Sequence, residues 1–125
     1  MNEAILVVED NDEVRKTAVR MLERLGYEVY EAASGETALA ALEEHGAFDL
    51  LLTDVVLQGD MDGPGVADAI KQIAPGTKVL YMSGYAEKEL IHRARGTERV
   101  RLLDKPFTYS KLAHKVQEAL RDSDR

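Results

Sequence analysis

Cysteine and tryptophan are missing from the 125-residue sequence, and proline occurs only three times. Without cysteine the chain can form neither a disulfide nor a metal site built on thiolates, which suits a reducing, cytoplasmic environment. No apolar stretch approaches the ~18 residues that a transmembrane helix requires. The N-terminal residues also lack the basic and apolar regions of a signal peptide. We therefore expect a cytoplasmic chain with no membrane-spanning segment.

Positive charge is also scarce, because 16 Lys and Arg residues stand against 23 Asp and Glu residues and leave a net charge of −7. Nucleic acids and anionic membranes are both bound through clustered basic residues. The sequence therefore predicts no direct binding to nucleic acid or to a membrane. The length fits a single domain. We expect that domain to cover residues 1–122, with residues 123–125 as a tail or the start of a linker.

Short apolar runs alternate with amphipathic segments along the chain. Apolar runs of this length are typical of buried strands in a parallel sheet, and apolar residues spaced three and four apart are typical of the helices that cover it. The alternation predicts an α/β fold with helices on both faces of the sheet. Strands are predicted at 4–8, 28–32, 49–53, 78–82 and 100–103, and helices at 12–25, 34–45, 64–74, 86–99 and 108–120.

Reactive side chains follow four of the predicted strands. Open parallel sheets bind ligands beyond the carboxyl ends of their strands, where the strand order reverses. Those positions are occupied by Glu9 and Asp10, Asp54, Ser83 and Lys105. Each residue alone has an ordinary explanation, as a helix cap or a turn residue. Their coincidence at four strand ends indicates a binding site.

The three carboxylates in this set predict a cation site. Like charges about 4 Å apart repel by roughly 4 kcal/mol at an effective dielectric near 20. Lys105 supplies one compensating charge, and a divalent ion would supply the rest. An all-oxygen ligand set without histidine favours magnesium, or else manganese, over zinc. Asp54 can also act as a nucleophile that forms an aspartyl phosphate, with Lys105, the Ser83 hydroxyl and a backbone N–H binding the phosphoryl oxygens.

Four segments of the chain resemble the receiver domains of two-component response regulators. They are residues 5–10 (ILVVED), 49–54 (DLLLTD), 82–85 (MSGY) and 105–107 (KPF), and their spacing along the chain also fits. The resemblance extends over nearly the whole length. It implies a flavodoxin-like, doubly wound sheet of five parallel strands in the order 2-1-3-4-5.

The resemblance implies a phosphoacceptor switch in a phosphorelay rather than an enzyme, with weak intrinsic phosphotransfer and autodephosphorylation. Asp54 is then the phosphoacceptor, and the donor is a phosphohistidine on a histidine kinase or a histidine phosphotransfer domain. The resemblance further implies that Asp10 and Asp54 are direct metal ligands, that Glu9 acts mainly through water, and that the backbone carbonyl of Val56 completes the protein ligands.

Phosphate binding is implied for Ser83, Gly84 and Lys105. Gly84 leaves space for a close approach to Ser83, whose hydroxyl is expected to turn toward the phosphoryl group. Lys105 is expected to pair with that group and to precede Pro106 through a cis peptide bond. Partners or an output domain are expected at the face formed by the fourth helix, fifth strand and fifth helix, and a homodimer stays open.

The sequence departs from the family pattern in two places. Gln58 stands where proline is usual, and the loop through Gly59, Asp60 and Met61 is one residue longer than the common form. Leu102 stands where many family members have an aromatic residue that moves with the hydroxyl. The usual switch through Ser83 and residue 102 is therefore altered, and Tyr85 is a candidate substitute or a lid over the site.

Several alternatives remain open from the sequence. An aspartate-nucleophile phosphatase of the same fold class would need a second carboxylate at position 56, where this chain has Val56. A flavodoxin-like flavin site would need a hydroxyl-rich loop after the first strand, and a calcium loop would need more than the DMDG at 60–63. A further alternative is a receiver module of a hybrid histidine kinase that passes phosphate to a histidine phosphotransfer domain.

Overall fold

The computed structural model describes residues 2–96 and 100–121 of the chain. Strands and helices alternate through these residues, as the sequence predicts. Within the described ranges, no helix has the length and apolar character needed to cross a bilayer. The strands are β1 (Ala4–Val8), β2 (Glu28–Ala32), β3 (Leu50–Asp54), β4 (Lys78–Ser83) and β5 (Leu102–Asp104), and the helices are α1 (Asp12–Arg24), α2 (Gly35–His45), α3 (Gly63–Ile73), α4 (Glu87–Arg95) and α5 (Tyr109–Arg121).

The strands form one parallel sheet in the order β2-β1-β3-β4-β5, which confirms the predicted topology. The register aligns the carboxyl ends of the strands. Val8 at the end of β1 lies opposite Thr53 in β3, and Asp54 lies opposite Met82 in β4. Groups that follow β1, β3 and β4 are therefore brought to the same edge of the sheet.

Each face of the sheet carries its own apolar core. Alternate residues of β1 point to opposite faces, so Leu6 packs in the core beneath α2 and α3, whereas Ile5 packs in the core beneath α1 and α5. Every residue of β1 and β3 is buried. Burial on both faces explains why these two strands are continuous apolar runs rather than alternating ones.

Local signals in the sequence fix the starts of three helices. Asn11 accepts a hydrogen bond from the N–H of Val14 at 3.0 Å. Ser34 and Thr37 form a capping box at the start of α2. Asp62 accepts from the N–H of Gly65 at 2.9 Å. Side-chain oxygens at these positions satisfy N–H groups that have no partner inside the helix.

The prediction was wrong in detail near the end of the sheet. The fourth helix, predicted for 86–99, covers Glu87–Arg95, and residues 97–99 lie outside the described ranges. The fifth strand starts at Leu102 rather than at residue 100. The Lys105–Pro106 bond is cis, as predicted. The predicted domain end at residue 122 and the predicted tail at 123–125 also lie outside the described residues.

Gly63, the first residue of α3, fits against the backbone of the strand end that carries Asp54. A Cβ atom at this position would lie 2.1 Å from the carbonyl oxygen of Asp54 and 3.0 Å from the Cα atom of Val55. Neither atom can rotate away, because both belong to the backbone. We therefore expect Gly63→Ala to lower the free energy of unfolding by about 1–3 kcal/mol or more, the usual cost of overpacking, as measured by urea denaturation.

Gly76→Ala is the matched control for this substitution. A Cβ atom on Gly76 would meet nothing within 4 Å, so the free energy of unfolding should change by less than about 1 kcal/mol in either direction. Equal stability of the two variants would contradict the packing argument.

Candidate functional site

The sheet brings the four predicted strand-end groups to one edge. Glu9 directly follows β1, Asp54 and Ser83 are the last residues of β3 and β4, and Lys105 follows β5. The backbone N–H of Lys105 donates to the carbonyl oxygen of Ser83 at 2.9 Å, which fixes the lysine beside the end of β4. The site is thus a consequence of parallel pairing, since all strands end on the same side.

Three carboxylates form the centre of this site. Oxygens of Glu9, Asp10 and Asp54 lie within 4.8 Å of one another. Glu9 is 1% exposed and Asp54 is 4% exposed, whereas Asp10 is half-buried. This geometry creates strong mutual repulsion in a region that water screens poorly.

Backbone N–H groups hold two of the carboxylates in place. Oε2 of Glu9 accepts from the N–H of Asn11 at 3.1 Å. Oδ2 of Asp10 accepts from the N–H of Gln58 at 3.0 Å. Gln58 lies in the loop that departs from the family pattern, so the altered loop still contributes a donor to the site. Its role was missed by the sequence analysis, because a backbone contact leaves no trace in residue type.

Lys105 is the cation that faces the carboxylates. Its Nζ atom lies 3.2 Å from Oδ1 of Asp54 and 3.3 Å from Oε1 of Glu9. Burial lowers the pKa of an ammonium group, but attraction to Asp54 and Glu9 outweighs this effect and raises the pKa of Lys105. Lys105 therefore stays charged and offsets only part of the negative charge.

The remaining excess of negative charge perturbs the carboxyl groups. Burial, followed by the charge of Glu9, raises the pKa of Asp54 to about 7, although Lys105 opposes the shift. Burial also raises the pKa of Glu9, against the N–H of Asn11 and the charge of Lys105. A carboxyl group with such a raised pKa, buried in a cleft beside charged partners, is typical of a functional site.

Two buried oxygens of the site lack a hydrogen bond within the described part of the chain. They are Oδ1 of Asp54 and Oγ of Ser83. Oδ1 of Asp54 forms an ion pair with Lys105 at 3.2 Å, but the two groups are not aligned as in a hydrogen bond. Leaving buried polar atoms without a hydrogen bond is costly unless a ligand completes the site. The oxygens of Glu9, Asp10 and Asp54 fit a small, hard divalent cation.

The other predicted residues lie around this centre. Val56 follows in the loop after β3 and is 42% exposed. Tyr85 is 95% exposed, so its ring does not cover the site. Leu102 is half-buried and packs against the core on the α2–α3 side of the sheet, opposite Tyr81 of β4. Gly84 directly follows β4, and its N–H donates to Oε1 of Glu87 at 2.8 Å.

Glu87 and Arg15 are site neighbours that the sequence analysis missed. Nη1 of Arg15 donates to the carbonyl oxygen of Glu9 at 2.8 Å, and Nε donates to Glu31 at 2.9 Å. Nη2 donates to Asp12 at 2.7 Å. The spacing of Asp12 and Arg15 within one helical turn was a usable signal, but the contact with Glu9 depends on how the loop after β1 folds.

The chain matches a known protein family and curated relatives. The family model described as "Response regulator receiver domain" matches residues 5–117. The chain is 40% identical over 121 residues to the sensor kinase CckA of Brucella abortus, covering 96% of this chain and 13% of that protein. It is 33% identical over 116 residues to the response regulator receiver protein CpdR of the same species, covering 93% of this chain and 95% of that protein.

Solved structures show the same architecture. A receiver domain from the hybrid histidine kinase CckA is 35% identical, with a TM-score of 0.74 over 94% of this chain and 99% of that chain. NtrX from Brucella abortus is 30% identical, with a TM-score of 0.87 over 96% of this chain and 27% of that chain. The chain therefore spans nearly all of some relatives and a small part of others.

The raised pKa of Asp54 predicts a pH-dependent stability in the absence of metal. The folded-state pKa of about 7 lies above the ordinary value of 3.8, so the folded chain binds this proton more tightly than the unfolded chain. The resulting stabilisation is present at low pH and is lost as the pH rises from about 4 through about 7. Asp54→Asn should therefore gain stability over the wild type by about 1–3 kcal/mol between about pH 5 and about pH 8, measured by urea denaturation in EDTA.

Asp60→Asn serves as the control, because Asp60 is an exposed carboxylate in the loop beside the site. Its stability relative to the wild type should not grow over the same pH range. If the free energies of unfolding of Asp54→Asn and the wild type differ by the same amount at about pH 5 and at about pH 8, the result would contradict the shifted pKa of Asp54.

Proposed function

The chain belongs to the response regulator receiver domain family, and from that premise we propose that Asp54 accepts a phosphoryl group from a phosphohistidine of a partner protein. The partner is a histidine kinase or a histidine phosphotransfer domain, and the modified chain changes its interactions with other proteins. The observation that carries this proposal is the buried Asp54 carboxylate beside Lys105, together with the buried Ser83 hydroxyl, which has no hydrogen-bond partner in the described part of the chain.

The transfer requires Asp54 in its ionised form. One carboxylate oxygen forms a bond to phosphorus while the bond from phosphorus to the imidazole nitrogen breaks, and the electron pair of that bond leaves with the imidazole. Lys105, at 3.2 Å from Asp54, favours the ionised carboxylate and offsets charge on the transferred oxygens. The Ser83 hydroxyl and the Gly84 N–H are the donors for those oxygens.

The donor set of the site favours Mg²⁺, with Mn²⁺ as the alternative. Asp10 and Asp54 would hold the ion directly, Glu9 would act through water, and the Val56 carbonyl would complete the protein ligands. The bound ion would supply positive charge that neutralises the phosphoryl oxygens. Glu9 and Asp10 are already oriented for this role by the N–H groups of Asn11 and Gln58.

Val56 supports a phosphoacceptor switch over an aspartate-nucleophile phosphatase. Such a phosphatase needs a carboxylate as general acid two residues after the nucleophile, and valine carries no ionisable group. The aspartyl phosphate would therefore persist longer than an enzyme intermediate. A longer-lived phosphoryl group is what a signalling domain requires.

A receiver module of a hybrid histidine kinase is the second candidate. The 40% identity to the sensor kinase CckA favours it, whereas the 33% identity to the response regulator receiver protein CpdR favours a response-regulator receiver. In the first case Asp54 would pass its phosphoryl group to a histidine phosphotransfer domain. In the second case the face formed by α4, β5 and α5 would engage a partner or output protein.

Incubation with acetyl phosphate and Mg²⁺ tests the proposed chemistry directly. The mass of the intact protein should increase by one phosphoryl group, because the small donor replaces the phosphohistidine. The gain should be lost in Asp54→Asn and should persist in Asp60→Asn, which removes a nearby exposed carboxylate. Adding EDTA should abolish the gain.

Two results would count against the proposal. A wild-type chain that gains no phosphoryl group from acetyl phosphate or from a phosphorylated histidine kinase would contradict the switch. A gain that persists in EDTA would contradict the metal site formed by Glu9, Asp10 and Asp54.

A further inference from the structure

Helix α4 begins without a conventional side-chain cap. Ala86 occupies the cap position and offers no side-chain acceptor. Glu87, the first residue of the helix, instead turns its carboxylate back toward the preceding loop. Its Oε1 atom accepts from the N–H of Gly84 at 2.8 Å, and its own N–H donates to the Gly84 carbonyl oxygen at 3.2 Å. The start of α4 is therefore tied to the residue that directly follows Ser83.

This contact occupies a donor that a phosphoryl group would need. Gly84 lies next to Ser83, whose buried Oγ atom has no hydrogen-bond partner among the described residues. The two groups are adjacent donors at the end of β4. A single N–H makes one strong hydrogen bond to a charged acceptor. Glu87 and a phosphoryl oxygen cannot both hold the Gly84 N–H.

The charge of Glu87 also reaches the centre of the site. Burial and the charge of Glu9 are the largest causes of the raised pKa of Asp54, and the charge of Glu87 acts in the same direction. The carboxylate of Glu87 likewise helps to raise the pKa of Lys105. Glu87 is thus a fourth carboxylate within electrostatic range of the site, and its charge would repel an incoming phosphoryl group.

We propose that Glu87 competes with the phosphoryl group for the N–H of Gly84, so that modification of Asp54 displaces the Glu87 carboxylate. This inference rests on the proposed phosphorylation of Asp54. Because a phosphoryl group carries about two negative charges, it repels Glu87 while taking its hydrogen-bond donor. Glu87 then sets how tightly the site holds a phosphoryl group.

Displacement of Glu87 would be transmitted to α4. Only Ile91 is buried among the side chains of this helix that the structure describes. At its N-terminal end, Lys88 pairs with Asp104 of β5 at 2.9 Å, next to the Glu87 contact. Loss of the Glu87 carboxylate contact would leave the first turn of α4 with the Lys88–Asp104 ion pair and the backbone hydrogen bond from Glu87 to Gly84. The altered position of α4 could then signal phosphorylation without an aromatic residue at position 102.

Beryllofluoride, which mimics a phosphoryl group on aspartate, provides the test. The ¹⁵N-labelled protein is titrated with beryllofluoride in excess Mg²⁺, and the amide signal of Gly84 shows whether its hydrogen bond to Glu87 is present or lost. Glu87→Ala should bind beryllofluoride about tenfold more tightly than the wild type. Glu87→Gln should lie between them, because its amide oxygen still accepts from Gly84 but carries no charge.

Glu89→Gln is the matched control, since it removes the same charge from an exposed position in the same turn of α4. Its affinity should stay within about twofold of the wild type. The Gly84 amide signal of the free protein should shift in the Glu87 variants and not in Glu89→Gln. Thermal denaturation of each variant checks that the fold is retained, and Glu87→Gln is the near-isosteric variant if Glu87→Ala unfolds.

The outcomes separate this inference from the proposed function. If the wild type and both Glu87 variants bind beryllofluoride with the same affinity, the proposed competition by Glu87 is wrong, whereas the proposed phosphorylation of Asp54 is unaffected. An equal gain in Glu87→Gln and Glu89→Gln would also overturn it, because net charge would then explain the effect. Absence of beryllofluoride binding in every variant, together with no phosphoryl gain from acetyl phosphate, would overturn both proposals.

Discussion

Lys105 faces a cluster of three carboxylates at the carboxyl edge of the sheet, and the neighbouring structure is arranged around this excess of negative charge. Lys105 approaches two of the carboxylates to 3.2 and 3.3 Å, but it cannot neutralise all three. Backbone N–H groups at Asn11 and Gln58 offset part of the remainder. The cost of the arrangement appears in the raised pKa of Asp54. The excess of negative charge at this site favours the binding of a cation.

Much of the fold and the centre of the site could be predicted because they depend on periodicity and on strand ends. The apolar runs at 4–8 and 49–53 are continuous since β1 and β3 are buried on both faces. Parallel pairing of the strands then brings Glu9, Asp54 and Lys105 together, so their proximity could be predicted from the strand ends alone. The range of α4 was harder to predict, because only Ile91 anchors it in the core within the described part of that helix.

The contacts that escaped prediction are made by loops or by backbone atoms. Glu87 reaches Gly84 because the loop after β4 turns back on itself, and Gln58 contributes only its N–H. Leu102 shows a related limit. The sequence marks the loss of an aromatic residue at that position, but pairing across the sheet is needed to see that Tyr81 of β4 lies directly opposite it. An aromatic ring therefore lies beside Leu102, on the neighbouring strand.

The guanidinium group of Arg95 gives α4 an unequal attachment at its two ends. At the C-terminal end it binds the hydroxyl of Tyr81 at 2.8 Å, and it binds Asp68 and the Pro64 carbonyl oxygen at 2.9 Å each. These partners belong to β4 and α3, so this end is clamped to two elements. At the N-terminal end, Glu87 forms two hydrogen bonds with Gly84, and Lys88 pairs with Asp104. If the proposed displacement of Glu87 occurs, we expect α4 to shift at its N-terminal end, while Arg95 keeps the C-terminal end on β4 and α3.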